Sequence, residues 1–289
     1  MAGLVVVGLD GSASAALAAD YAVDDAVRRG ATLKIVHVRD PWSGDLALRG
    51  LDNLTAAATR HGEDILAAAK ERARERVPDL DVVTRMVTGS IVEQLKSESA
   101  EADCLVVGSR GMGGFAGLLL GSVGLGVAGH VPGPIVVVRQ MAPVSYGEIV
   151  VGYDGSDHSE AALEYAFGEA RRRGAGLKVI YTWQELIFSP YAIGYSQLLQ
   201  GVFNDRVADV HDRLTSWRER NPDVKVEESF LTGHPIPTLN EASRLADLVV
   251  VGSRGMGAFG SAVLGSVSHG VLHGASCPVA VVRPYQEER

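Results

Sequence analysis

Two glycine-rich stretches carry the clearest chemistry in this chain. Gly108-x-x-Gly111 is followed after nine residues by Gly121-Ser122, and Gly252, Gly255, Gly265 and Ser266 repeat that spacing. Glycines so placed let backbone N–H groups approach an anion with no Cβ in the way. Ser122 stands where a helix N-cap would, so its hydroxyl and the N–H groups of Val123 and Gly124 could meet a phosphate at the positive helix end. Plain turn-making is the alternative, and recurrence of the whole spacing weighs against it. A second motif, Gly8-Leu9-Asp10-Gly11-Ser12, returns as Gly152-Tyr153-Asp154-Gly155-Ser156. Its carboxylate can accept from a ribose or amino group or hold Mg²⁺, although Asp-Gly-Ser is also good turn and capping chemistry. Arg110 and Arg254 either pair with phosphate oxygens or are solvated loop side chains.

The elements that must position these residues come in two copies. Gly8 and Gly152, Gly108 and Gly252, and Pro134 and Pro278 are each 144 residues apart, as are VRRGATLKIVHV and RRRGAGLKVIYT. One offset kept across a whole domain means an internal duplication, with domains expected at 1–142 and 143–289. The Pro- and Gly-bearing residues 140–147 form a short linker, so the domains are expected to pack together.

Within the first copy, apolar runs at 4–9, 33–38, 82–87, 104–108 and 135–139 alternate with helical stretches at 14–29, 54–76, 91–100 and 122–130. Near-continuous hydrophobicity fits parallel strands covered on both faces. The expected fold is α/β: two tandem, doubly wound, five-stranded parallel sheets of Rossmann type with strand order 3-2-1-4-5. That order sets strands 1 and 4 side by side where the winding reverses, the usual ligand site of such sheets. Both motifs follow those strands. The arginines at 28–29 and 171–173 precede Gly30 and Gly174 and read as ordinary partners of a helix C-terminus. Strand 5 would leave a flat, β-branched edge, so residues 135–139 and 279–283 are expected to pair antiparallel across a pseudo-twofold axis.

The 289 residues carry a net charge of −8 and a sequence pI near 5.5, which argues against nucleic acid as the main partner. No run reaches the length of a membrane span, and the first basic residue is Arg28, unlike a signal peptide. Two cysteines, Cys104 and Cys277, make no disulfide framework and read as small buried hydrophobes of a cytoplasmic protein.

These motifs resemble those of the universal stress protein family, ATP-binding branch, whose fingerprint G-x2-G-x9-G-[ST] the chain carries twice. The resemblance implies an adenine nucleotide alpha hydrolase-like fold. It implies adenine held by backbone groups at Val38 and Thr182. It implies phosphates of ATP, with Mg²⁺, held in the first copy by Gly108, Ser109, Arg110, Gly111, Met112 and Gly113 with Gly121, Ser122 and Val123. In the second copy Gly252, Ser253, Arg254, Gly255, Met256 and Gly257 with Gly265, Ser266 and Val267 take that role. Position 124 is glycine while its counterpart is Ser268, so a side-chain contact there exists at most in the second copy.

Rival readings are weaker. Residues 255–260 spell G-x-G-x-x-G, but after the fourth strand and without an acid about twenty residues on, as a dinucleotide-binding redox protein would need. Neither glycine loop has the lysine of a P-loop, no H-x-G-H signature occurs, and no nucleophile–base pair is supported by both copies. His269 and His273 have metal-compatible spacing, yet Leu125 and Gly129 replace them in the first copy. An ATP-binding sensor or regulatory protein with little or no hydrolysis is expected; the alternative is an interaction module whose contacts with an unknown regulatory partner change with ATP occupancy. The aromatic-rich segment 183–203 is either a lid on its own domain or a partner surface, with a homodimer as one use.

Overall fold

The computed structural model describes residues 3–40, 52–111, 120–131, 133–142, 144–183, 196–255 and 264–284. The first copy runs β1 (Leu4–Gly8), α1 (Ala13–Arg29), β2 (Thr32–Arg39), α2 (Asp52–Arg76), β3 (Val82–Thr88), α3 (Ile91–Glu98), β4 (Cys104–Gly108), α4 (Ser122–His130) and β5 (Ile135–Val138). The second runs β6 (Glu148–Gly152), α5 (Asp157–Arg173), β7 (Gly176–Trp183), α6 (Ser196–Arg220), β8 (Val226–Thr232), α7 (Pro235–Ala242), β9 (Leu248–Gly252), α8 (Ser266–Gly274) and β10 (Val279–Val282). The long helices α1 and α5 start and stop on chemistry visible in the sequence. Ser12 and Ser156 cap them by accepting from the N–H groups of Ala15 and Ser159, and Gly30 and Gly174 end them at φ 60° and 61°.

Each copy has the order 3-2-1-4-5, and the two join in one ten-stranded sheet, β3-β2-β1-β4-β5-β10-β9-β6-β7-β8. Every pairing within a copy is parallel. At the seam β5 and β10 run antiparallel, with Ile135 opposite Val281, Val136 opposite Ala280 and Val137 opposite Val279. The edge that would be an aggregation hazard in one copy is covered by its twin. Strand side chains alternate between two cores. Val5, Val7 and Val106 pack under α1, α2, α5 and α6, while Val6, Leu105 and Val107 pack under α3, α4, α7 and α8. Both cores contain residues of both copies, so apolar burial runs unbroken across the seam. Cys104 and Cys277 are free thiols buried in these cores.

Two further sets of contacts repeat across the pseudo-twofold. Arg139 donates to the carbonyl of His273 at 2.5 Å, and Arg283 donates to that of Gly129. Between α1 and α5 lies a buried polar network. Arg29 donates to Asp25 (2.7 Å), to Glu169 and to Tyr165 Oη (3.2 Å). Arg173 donates to Glu169 (2.9 Å) and to Tyr21 Oη (2.6 Å). Asp25 and Glu169 are both fully buried. Burial alone would raise the Glu169 carboxyl, but Arg173, Arg29 and Arg172 outweigh it and hold it down at about 2. The expectation that these arginines only complement helix dipoles is therefore corrected for Arg29 and Arg173, which are the ionic bolts between the two copies. Arg171 does stay at the surface, paired with Asp223.

Candidate functional site

The motifs after β1 and β4 meet at the carboxyl end of the sheet, and those after β6 and β9 meet in the same way. In the first copy the Asp10 carboxylate accepts from the Ser12 N–H (3.0 Å), with Gly11 at φ 87° making the turn. In the second, Asp154 accepts from the N–H (3.0 Å) and hydroxyl (2.6 Å) of Ser156, with Gly155 at φ 83°. Turn chemistry is thus present at both aspartates, and each carboxylate also reaches the glycine loop opposite. A Cβ built on Gly111 would lie 2.6 Å from Asp10 Oδ2, and one on Gly255 would lie 2.5 Å from Asp154 Oδ2. Carboxylate and loop backbone therefore share one small space in each copy.

The glycines divide by the reason each is required. Gly108 is needed by the protein itself, because a Cβ there would meet Ser14 backbone atoms at 2.8 Å. Gly252 is held the same way against His158, at 2.7 Å from its carbonyl oxygen. Gly121 differs: its φ is −80°, and a Cβ would meet nothing closer than 3.5 Å. Among the described residues nothing demands glycine there, so a side chain would enter the open space over Gly121. Gly265 is somewhat tighter, with 3.2 Å to Arg254 Cα.

Gly121 and Gly265, not Ser122 and Ser266, are the N-caps of α4 and α8, which corrects the expectation for the serines. The Gly121 N–H is spent on the Ser109 carbonyl (2.7 Å), folding the loop back so that its end becomes the helix start. Ser122 is an exposed first helical residue, and Val123 is half-buried. The N–H groups of Ser122, Val123 and Gly124 precede the first intrahelical bond, from Leu125 to Gly121, and lie at the positive end of α4. In the second copy Ser266 and Val267 take these places, and the first bond runs from His269 to Gly265 (3.0 Å). Ser268, the one side chain expected to add a contact, is buried and donates to the carbonyls of Ser253 and Gly265.

Val38 and Thr182 lie near the ends of β2 and β7. Because Val36 pairs with Gly8 and Ile180 with Gly152, Val38 and Thr182 lie two residues beyond the ends of β1 and β6. Ser109 and Ser253 are buried and tied through their N–H groups to Val138 and Val282, so they anchor the loops and do not line them. Arg110 is exposed, whereas Arg254 is half-buried. Met112, Gly113, Met256 and Gly257 lie outside the described residues, as does most of the rival G-x-G-x-x-G. The same holds for 184–195 of the aromatic segment, at whose two ends Trp183 and Phe203 pack edge to face at 5.9 Å.

Two site residues escaped the sequence reading. Ser14 Oγ donates to the Arg110 carbonyl (2.6 Å) and accepts from its N–H (3.1 Å), clamping the two loops of the first site. Its counterpart is His158, whose Nδ1 lies 2.9 Å from Ser253 Oγ. Burial, then the charges of Arg254 and Arg283, push the His158 imidazole below its ordinary value. The signal was a position two residues beyond each capping serine that differs between otherwise matched motifs. The Ser253–His158 contact has the form of a nucleophile and base, yet Ser253 is 0 % exposed and has no route to a substrate. Among the described residues no three His, Cys, Asp or Glu side chains gather to hold a metal ion, and no helix is long and apolar enough to cross a membrane.

A model described as the Universal stress protein family matches residues 1–139 and again 145–283. A universal stress protein of Mycolicibacterium smegmatis is 35% identical over 97% of this chain and 97% of its own. One from Mycobacterium tuberculosis is 34% identical over 96% of each. The crystal structure of a universal stress protein from Archaeoglobus fulgidus superimposes with a TM-score of 0.74 over 98% of both chains, at 21% identity. A universal stress protein solved in complex with cAMP is 35% identical over the 47% of this chain that it covers, which is 97% of that protein, with a TM-score of 0.38.

Proposed function

The chain belongs to the universal stress protein family in both of its halves, and we propose that it is a nucleotide-dependent regulatory protein that binds one ATP in each domain. The observation that carries this reading is the convergence, in both copies, of an aspartate and a glycine loop at the point where the sheet reverses its winding. Asp10 and Asp154, acceptor-only carboxylates, suit ribose hydroxyls. The N–H groups at the starts of α4 and α8 suit phosphate oxygens, and Arg110 and Arg254 add charge to them. The open space over Gly121, where no described atom comes closer than 3.5 Å to an added Cβ, suits the approach of a phosphate oxygen. The backbone at Val38 and Thr182, beyond the ends of β1 and β6, suits the edge of an adenine ring. Mg²⁺ would enter as the counter-ion of the triphosphate. The domains so loaded are 1–142 and 143–289.

Binding without efficient turnover follows from what surrounds the loops. Neither offers a lysine to the phosphates, and the serine of the Ser253–His158 contact is buried from solvent. We further assign the protein to the cytoplasm and to work through a protein partner that reads ATP occupancy, with self-association into a homodimer as one form of it. Isothermal titration with ATP should give two sites per chain and a clear preference over NAD. One site, or NAD bound as tightly as ATP, would overturn the reading. Titration with cAMP decides whether the triphosphate is required.

A further inference from the structure

The two sites share nearly every residue of their motifs, and differ at the clamp between their loops. In the first copy the clamp is Ser14, whose hydroxyl is used up on the Arg110 backbone. A serine hydroxyl carries no charge to change near neutral pH. In the second copy the clamp is His158, in the first turn of α5, hydrogen-bonded through Nδ1 to Ser253 of the glycine loop. The charged groups facing the ring are Arg254 from the loop after β9, Arg283 from the end of β10, Asp157 from its own helix and Asp154 from the loop after β6.

We infer that His158 makes the second site proton-linked: nucleotide binding there takes up a proton, and binding at the first site takes up none through this position. The inference rests on the ATP reading above. With Nδ1 held by Ser253, a proton on the ring adds both an N–H donor and a positive charge beside Arg254. In the ligand-free protein that charge is opposed by two guanidinium groups and by partial burial, so the neutral ring prevails. A triphosphate at the same loop supplies the missing negative charge and reverses the balance. The sign follows: the ligand raises the affinity of the ring for protons, so protons raise the affinity of the site for ligand. Each pKa unit by which the ligand lifts the ring makes the second site up to about tenfold tighter as pH falls from about 8 to about 6. Two sites that match at high pH would then separate on acidification, giving one chain two occupancies of unlike pH dependence.

The test is ATP titration calorimetry of the full chain in two buffers of unlike ionisation enthalpy, for wild type and His158→Ser. Serine at this position is already accommodated by the first copy, and protons bound by ATP itself are common to both proteins. The expected result is proton uptake in wild type that exceeds that of His158→Ser, with the variant's two sites following pH in parallel. Ser14→His should confer extra uptake on the first site. Equal uptake by wild type and His158→Ser overturns the inference and leaves two-site ATP binding standing. Absence of ATP binding in wild type overturns the ATP reading, and this inference falls with it.

Discussion

Replacing Arg29 with alanine should weaken the protein far more than the same change at Arg173, although the two are pseudosymmetric mates. Arg29 gives Asp25 its one short ionic contact, at 2.7 Å; the next are Arg28 at 3.5 Å and Arg173 at 3.9 Å. Without Arg29, a fully buried carboxylate is left poorly compensated and Tyr165 Oη loses its donor. Breaking a buried pair by removing one partner costs about 3–5 kcal/mol. Arg173→Ala leaves Asp25 with Arg29, and Glu169 with two of its three arginines, Arg29 and Arg172, so neither carboxylate is stranded; the losses are the third Glu169 contact and the bond to Tyr21 Oη. One lost buried hydrogen bond costs about 1–3 kcal/mol. Urea denaturation of both variants measures the difference. The acid side gives a second handle. The Glu169 carboxyl is held below its unfolded value of 4.5, at about 2, so its contribution is full above pH 4.5 and is lost as pH falls toward 2. Glu169→Gln should flatten that part of the stability profile. Arg29→Ala and Arg173→Ala within about 0.5 kcal/mol of each other, or both below about 1 kcal/mol, would refute the account.

Other outcomes follow from the same geometry. Gly111→Ala with Gly255→Ala should displace the Asp10 and Asp154 carboxylates and abolish ATP binding while circular dichroism stays native, whereas Gly108→Ala or Gly252→Ala should cost stability, about 1–3 kcal/mol, by striking backbone. Unchanged binding in the first pair would make those glycines turn residues only. Val137→Lys buries a charge opposite Val279, so urea titration and light scattering should detect parted domains or precipitation. Steady-state phosphate release should stay well below ordinary ATPase turnover of about 1–10³ s⁻¹; a rate within that range would contradict binding without turnover.

Most of the fold was legible because it is written twice. Local signals that are ambiguous alone, such as a four-residue apolar run at β5, become firm when the same run returns after 144 residues. Strand order and the antiparallel seam followed from winding rules and from the hazard of an open edge. What sequence reasoning misjudged were groups with a sufficient local explanation. A cation in the last turn of a helix needs no partner beyond the helix dipole, so Arg29 and Arg173 looked complete. Their true partners stand 140 and 152 residues away, in the other copy. The recurrence of Tyr21, Asp25 and Arg29 as Tyr165, Glu169 and Arg173 was the available clue. Serine is a common cap, which makes Ser122 the natural expectation. Here the loop turns back on Ser109, and glycine, having no Cβ, takes the capping position while leaving room above it.

The seam between β5 and β10 also fixes stoichiometry. Two separate chains meeting through such strands would assemble according to their abundance, and a mixture of variants would give like and unlike pairs in statistical proportion. A short covalent link replaces that with a local concentration in the millimolar range, independent of expression level. One half with Ser14 is then always mated to one half with His158. A symmetric homodimer cannot encode such a difference, since any change in one subunit appears in both. Joining the halves in one gene therefore lets each drift under its own selection while the shared sheet keeps them together.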